Sequence, residues 1–171
     1  MSFETNYYKI FEKCTENYSK PLDSVSDDEL SIAVMLRLLD IDNEKILELP
    51  LPCQYVTAIY RVIDRVYVAD FVHVYRDSDI APFVTTAIDG LLAIGEDELA
   101  TIIKKSYSIY EVDKEKIIAL NNGEIHWLDL SELEHWSEVT DECTESYEKC
   151  NYLNPSMANY IRKNFREFLN L

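Results

Sequence analysis

An apolar stripe with helical spacing runs through the middle of the chain, and few helix-breaking residues interrupt it. Steps of three and four residues place its side chains on one face of an α-helix. The 171 residues include only 3 Gly and 5 Pro, whereas a sandwich or barrel with many tight turns would need more of both. The sequence therefore predicts an all-α fold, a single-domain irregular helical bundle. The stripe consists of Val56, Ile59, Tyr60, Ile63, Val66 and Tyr67.

Similar patterns, with start and stop signals, cover most of the remaining chain. Ser26 and Glu29 fit a capping box, and Pro52 suits the first turn of the helix that carries the central stripe. Asp79 is predicted to cap a helix that Gly95 ends. The capping-box helix is predicted to be largely buried, with one face formed by Ile32, Met35, Leu36 and Leu39 and an apolar surface extended by Ala33, Val34 and Leu38. Helices are predicted over residues 4–18, 26–40, 56–75, 79–95, 97–110 and 157–169.

Two stretches leave the type of secondary structure open. "VYVADFVHVY" at residues 66–75 is rich in β-branched residues, which favours a strand, but it continues a helical pattern. We interpret it as helix with a kink near Ala69. "LNNGEIHW" contains a turn around Asn122 and Gly123, so a short hairpin near residues 117–128 is an alternative there.

Composition points to one acidic domain over residues 1–171. Hydrophobic residues make up 47%, which suffices for a core, and no linker interrupts the chain. The N-terminus lacks a secretory pattern, and no apolar stretch is long enough to span a bilayer. We therefore expect a cytoplasmic protein whose 4 Cys are reduced thiols.

The charge balance narrows the classes of partner. Acidic residues outnumber basic ones 32 to 16, which gives a net charge of -16. Direct binding to nucleic acid or to an anionic membrane is disfavoured, because both need Lys and Arg. A basic protein surface that normally holds DNA is a compatible partner. The alternative is that the charge serves solubility alone.

The sequence contains little evidence of a catalytic or metal-binding site. His126, His135, Cys143 and Cys150 lack the close pairing of zinc ligands, so we expect neither metal nor cofactor. The chain has no nucleophile elbow and no phosphate-binding glycine loop. His73, beside Asp70 or Asp77, is the one candidate for a catalytic base, and a lone histidine in an apolar run is more often a boundary residue.

Residues 131–148 contain carboxylates every three or four positions and no Lys or Arg. If this segment is helical, Asp141, Glu145 and Glu148 share one face, where neighbouring carboxylates stand about 5–6 Å apart. Phosphates of one DNA strand advance about 3.4 Å along the axis per step. A row of carboxylates on a rigid helix can therefore approximate a row of phosphates.

Several segments together resemble a bacterial family of small acidic helical proteins that includes a dimeric DNA mimic. The resemblance covers residues 56–171 and rests on "ADFVHVYRDSD", "APFVTTAIDGLLAIG", "TDECTESYE" and "ANYIRKNFREFL". The chain departs from the family pattern at paired glycines, replaced by Ala69 and Asp70, at a glutamine, replaced by His73, and at an asparagine, replaced by Asp77. The positions that fit are Phe71, Tyr75, Ala87, Ile88, Ile94 and Gly95.

The resemblance implies an all-helical homodimer without enzymatic activity, whose acidic surface occupies the DNA-binding face of a transcriptional regulator. A helix-turn-helix regulator is the expected partner. Alternatives are an immunity protein that neutralises a nuclease toxin, an enzyme centred on His73, and a helical domain with no partner. The predicted mimic surface comprises Glu132, Glu134, Glu138, Asp141, Glu142, Glu145 and Glu148, with Asp27, Asp28 and Glu29 as a second patch.

Overall fold

The computed structural model describes residues 22–126 and 133–169, apart from the side chains of Asp23, Leu133 and Glu134. Within these ranges the fold is all-α, as predicted, with nine α-helices and no strand. The predicted helix at residues 4–18 lies outside the described residues. The helices are α1 (Asp27–Leu39), α2 (Asn43–Ile46), α3 (Leu51–Val68), α4 (Phe71–Arg76), α5 (Val84–Ile94), α6 (Asp97–Asn121), α7 (Leu133–Lys149), α8 (Asn154–Lys163) and α9 (Phe165–Phe168).

The centre of the bundle is α3, which carries the apolar stripe and has Pro52 in its first turn, as predicted. Every stripe residue is buried except Tyr67. Its main neighbour is α5, and Gly90 sits at their contact. A Cβ on Gly90 would lie 3.0 Å from Cβ of Tyr55, so a larger residue would require the two helices to shift by a few tenths of an ångström.

The start of α1 is predicted correctly, and Ala33, Val34 and Leu38 are buried as expected, but the predicted main face is not. Ser26 accepts a hydrogen bond from the main-chain N–H of Glu29, and the Glu29 carboxylate accepts one from Ser26, which completes the capping box. Ile32, Met35 and Leu36 are only partly buried, and Leu39 is 47% exposed. The reason is tertiary: α8 packs against the neighbouring face. That buried face consists of Leu30, Ala33, Val34 and Leu38.

Residues 66–75 are helical, with a break at Ala69 and Asp70 between α3 and α4. Asp70 caps α4 by accepting from the main-chain N–H of His73 at 2.8 Å. The φ angles of Ala69 and Asp70 are -134° and -172°, so neither residue occupies the left-handed region. Side chains are therefore accommodated where the resembled pattern has glycines.

The predictions around α5 are partly wrong. Asp79 does not cap the helix; a 3₁₀ turn at Ala81–Phe83, which contains Pro82, leads into α5 instead. Asp77 organises this connection, because its two carboxylate oxygens accept from Arg65 at 2.7 Å and from the main-chain N–H of Asp79 at 2.9 Å. Gly95 ends α5 with φ of 89°, as predicted.

The hairpin alternative near residues 117–128 is wrong over the described residues of that stretch. Helix α6 continues to Asn121 rather than ending near Tyr110, because Ile117 and Leu120 are buried in the core. Residues 122–126 form a turn and a bend, and residues 127 and 128 lie outside the described part. Buried Asp113 also anchors α6, since it accepts a hydrogen bond from the indole N–H of Trp136 at 3.2 Å.

The predicted C-terminal helix is divided in two. Helix α8 ends at Lys163 and α9 begins at Phe165, with Asn164 between them. Before α8, three successive residues, Asn151, Tyr152 and Leu153, have φ between 53° and 65°. None of the helices in the described ranges is both long and apolar enough to cross a bilayer.

Candidate functional site

Helix α7 carries the acidic segment, and its inner face fixes the direction in which the carboxylates point. Trp136, Val139, Cys143 and Ser146 follow one another at helical spacing, and all are buried. Residues on the opposite side of the helix must therefore face solvent. The condition on which the predicted carboxylate row depends is therefore met: residues 140–148 are helical, within a helix that begins at Leu133.

Five carboxylates on the outer side of α7 are exposed, and we call them the acidic ridge. Glu138 and Glu148 mark its ends, ten residues apart, which corresponds to about 15 Å along a helix. Over the described side chains of α7, only one basic residue other than histidine, Lys149, shares this outer surface. The acidic ridge consists of Glu138, Asp141, Glu142, Glu145 and Glu148.

Helix α6 adds acids along one flank of the ridge. Asp97 and Glu98, in the first turn of α6, line a shallow depression of about 430 Å³ together with Glu142 and Glu145. The hydroxyl of Ser146 donates to Glu98 at 3.1 Å and so joins the two helices. The sequence pattern indicates only that a helix starts at Asp97 and Glu98. It does not link them to the ridge, because they precede it by 40 residues or more.

The other flank of the ridge is formed by the ends of α3 and α4. Asp70 and Asp141 line one small depression of about 230 Å³. Burial, followed by the charge of Asp64, raises the pKa of Tyr147 to about 12, which places Asp64 beside the inner edge of α7. The hydroxyl of Tyr67 donates to Glu148 at 3.4 Å.

These flanks widen the negative surface beyond a single helix. Pattern analysis of one segment could not reveal them, because their proximity to α7 arises from packing. We call Asp64, Asp70, Asp97 and Glu98 the flanking acids.

Two ridge carboxylates have cationic neighbours within the chain. The ammonium of Lys105 lies 2.8 Å from Glu142, and that of Lys149 lies 3.7 Å from Glu145. All four side chains are more than half exposed, so these pairs are weak and exchangeable. Glu138, Asp141 and Glu148 form no ion pair with any residue in the described ranges.

The second predicted patch differs from the ridge, and we call Asp27, Asp28 and Glu29 the N-terminal patch. Asp27 accepts from the guanidinium of Arg162 at 2.5 Å, and Glu29 belongs to the capping box. Asp28 is exposed. Of the other predicted acids, Glu132 lies outside the described residues, and Glu134 lies in α7 with its side chain outside them.

The histidine and cysteine candidates occupy ordinary structural positions. Nδ1 of His73 lies 2.8 Å from Asp70, which caps α4, and the imidazole is 46% exposed rather than enclosed. Burial raises the pKa of Cys143 to about 12, so its thiol stays protonated at neutral pH. His126 and His135 are exposed, and within the described ranges no three His, Cys, Asp or Glu residues form a metal-binding group.

Comparison with known protein families finds a match over residues 47–164 to the family described as DMP19-like protein. The matched segment contains the acidic ridge and all flanking acids, and it excludes the N-terminal patch. No curated protein and no solved structure matches the chain.

Proposed function

This chain belongs to the DMP19-like protein family, a family of DNA-mimic proteins, and we propose that its acidic ridge imitates DNA and occupies the DNA-binding face of a transcriptional regulator. The observation that carries the proposal is the outward direction of all five ridge carboxylates. Their side chains are exposed along one side of α7, whose opposite face is anchored in the core. The flanking acids broaden the same surface.

The acidic ridge would bind the same cationic side chains with which the partner otherwise holds DNA phosphates. Arg and Lys side chains in a DNA-binding groove would pair with Glu138, Asp141 and Glu148, which have no ion pairs with described residues to break. Each exposed pair contributes only about 0.2–1 kcal/mol, so several must form together. Long-range attraction from a net charge of -16 would accelerate the encounter.

A helix-turn-helix regulator in the cytoplasm is the proposed target, and the proposed role involves no catalysis. Such regulators bind two half-sites about 34 Å apart, read by the two subunits of a dimer. A homodimer of this chain would present two ridges, one for each recognition helix. The N-terminal patch contributes less in this proposal, because Asp27 and Glu29 already have partners within the chain.

The test is competition with DNA. The chain is used to capture its partner from the native host at low salt, and the purified partner is bound to fluorescently labelled operator DNA. We expect the chain to displace the DNA, as measured by fluorescence anisotropy, with an affinity that falls as salt is added. A DNA complex that survives excess chain at low salt overturns the proposal.

A matched pair of variants separates a specific surface from total charge. The ridge variant E138Q/D141N/E145Q/E148Q should lose competition. The control variant E44Q/E48Q/D89N/E115Q removes the same number of exposed charges from other parts of the chain and should compete nearly as well as the parent. Equal losses in the two variants would mean that net charge alone, rather than the acidic ridge, drives binding.

A further inference from the structure

A cavity of about 560 Å³ is lined by residues of α1, α3 and the inner side of α7, and by Asn154 at the start of α8. This volume falls within the range of small-molecule sites, roughly 300–1,000 Å³. Its walls include the apolar side of α1 that the core leaves partly uncovered. The lining residues along α1 are Ile32, Met35 and Leu39; Ile80, Tyr147 and Tyr152 contribute from other elements.

The floor of the cavity contains a buried hydroxyl that is available to donate. Tyr60 lines the cavity, it is only 8% exposed, and among the described residues its hydroxyl has no partner at good hydrogen-bond geometry. Ser31 lies nearby and donates its hydroxyl to the main-chain oxygen of Asp27 at 2.8 Å or of Asn154 at 3.1 Å, so its oxygen can still accept weakly from Tyr60. Buried polar groups are nearly always paired, so the Tyr60 hydroxyl is available to donate to an acceptor atom in the cavity.

Arg61, next along α3, supplies a second unused donor. Its Nε is buried without a partner, while Nη2 donates to the carbonyl oxygen of Ile41 at 3.2 Å. Its guanidinium also lies 5.7 Å from the centre of the Phe83 ring, which holds the side chain in place. An N–H of arginine can only donate, so the complementary ligand atom must be an acceptor.

The charges of the lining favour a single negative charge on that ligand. Two arginines, Arg61 and Arg65, and one aspartate, Asp64, line the cavity, in a chain whose net charge is -16. Arg65 is already paired with Asp77 at 2.7 Å, which leaves Arg61 as the cation with an unused donor among the lining residues. A dianion such as phosphate would face Asp64 and the apolar walls without enough compensation.

We propose that this cavity binds a small carboxylic acid with an apolar body, an activity distinct from DNA mimicry although the flanking acid Asp64 lines the cavity. The carboxylate accepts hydrogen bonds from the Tyr60 hydroxyl and from Nε of Arg61. The apolar body lies along Ile32, Met35 and Leu39, which explains why this side of α1 is apolar although the core does not bury it.

The test uses the full chain and two probe pairs: phenylacetate with phenylethanol, and hexanoate with hexanol. Isothermal titration calorimetry measures affinity, and amide NMR shifts locate the bound probe. We expect each carboxylate to bind at least about tenfold more tightly than its alcohol, because hydrogen bonds between charged and neutral groups are stronger than neutral ones. The largest shifts should occur at Met35, Tyr60 and Arg61.

Tyr60→Phe removes the hydroxyl and keeps the ring. We expect carboxylate affinity to fall about tenfold while the thermal midpoint stays level or rises, because among the described residues the hydroxyl has no partner at good hydrogen-bond geometry. Tyr107→Phe is the matched control, since Tyr107 is partly buried but lies outside this cavity. The affinity of this control variant for the carboxylate probes should not change.

Three results overturn the proposal: neither carboxylate binds, the alcohols bind as tightly as the acids, or Tyr60→Phe binds like the parent. Met35→Trp, which fills the space between α1 and α3, provides an independent check. It should abolish binding of both acids while the helical circular dichroism remains. Unchanged binding in a folded Met35→Trp variant contradicts the assignment of the site to this cavity.

Discussion

The acidic ridge on α7 and the N-terminal patch on α1 contain the same kinds of side chain, yet their carboxylates have different surroundings. Glu138, Asp141 and Glu148 have no ion pairs with residues in the described ranges. In the patch, Asp27 is bound to Arg162 and Glu29 to Ser26. Density of acids in a sequence therefore does not show which of them are available to a partner.

The largest expected difference between the two regions is in partner binding. Replacing four ridge acids in E138Q/D141N/E145Q/E148Q should weaken binding of a captured regulator by about 1–4 kcal/mol, roughly 5- to 1,000-fold. Neutralising the patch in D27N/D28N/E29Q should change affinity less than about threefold, because two of its acids serve the fold. Surface plasmon resonance at low salt measures both, and a larger loss from the patch variant would reverse the comparison.

The ridge also depends on its buried anchor. Asp113→Ala removes the acceptor for the buried indole N–H of Trp136, and we expect the free energy of unfolding to fall by about 2–3 kcal/mol. Glu115→Ala, at an exposed position of the same helix, is the control and should change it by less than about 0.5 kcal/mol. Urea denaturation measures both; equal effects would show that the hydrogen bond does not hold α7 in place.

Because the N-terminal patch serves the fold, substitution of its capping partner should lower the free energy of unfolding rather than the affinity for a partner. Ser26→Ala removes the capping hydroxyl and should lower the free energy of unfolding by about 1 kcal/mol. Ser137→Ala, at an exposed position on α7, lacks this role and should be nearly neutral. A comparable loss from Ser137→Ala in urea denaturation would contradict the distinction between the two helices.

The smallest effect at neutral pH concerns the inner face of α7. Burial raises the pKa of Cys143 from its ordinary 9.0 to about 12, so the folded state holds its proton more tightly than the unfolded state. Stability from this group is complete below pH 9 and is lost as the pH rises towards 12. Cys143→Ala should reduce the number of protons released on unfolding near pH 10.5 by about one.

That change is measured from the slope of unfolding free energy against pH. Tyr147 and Cys53, whose pKa values are also raised to about 12, are left intact and contribute to the remaining alkaline loss in the variant, as do Tyr60 and Tyr75, whose pKa values burial also raises. A slope that is unchanged by Cys143→Ala would show that the thiol is accessible to solvent in the native state.

Local patterns predicted the parts of the fold that neighbouring residues control. The capping box at Ser26, the stop at Gly95 and the central stripe of α3 depend on residues a few positions apart, and all are present. The spacing of carboxylates on α7 follows from the helical repeat in the same way. The predictions were wrong where packing between distant elements determines the structure, as in the main buried face of α1 and the length of α6.

The sequence by itself determined that the chain is helical, strongly negative, and rich in acids along one helical segment, because propensity, charge and periodicity are properties of short stretches. Only the tertiary structure decided which acids have partners, since Asp27 meets an arginine 135 positions away. It also brought Asp97 and Glu98 beside the ridge, and it left the Tyr60 hydroxyl available to donate in a cavity. These features depend on how helices pack against one another, and no local pattern specifies that packing.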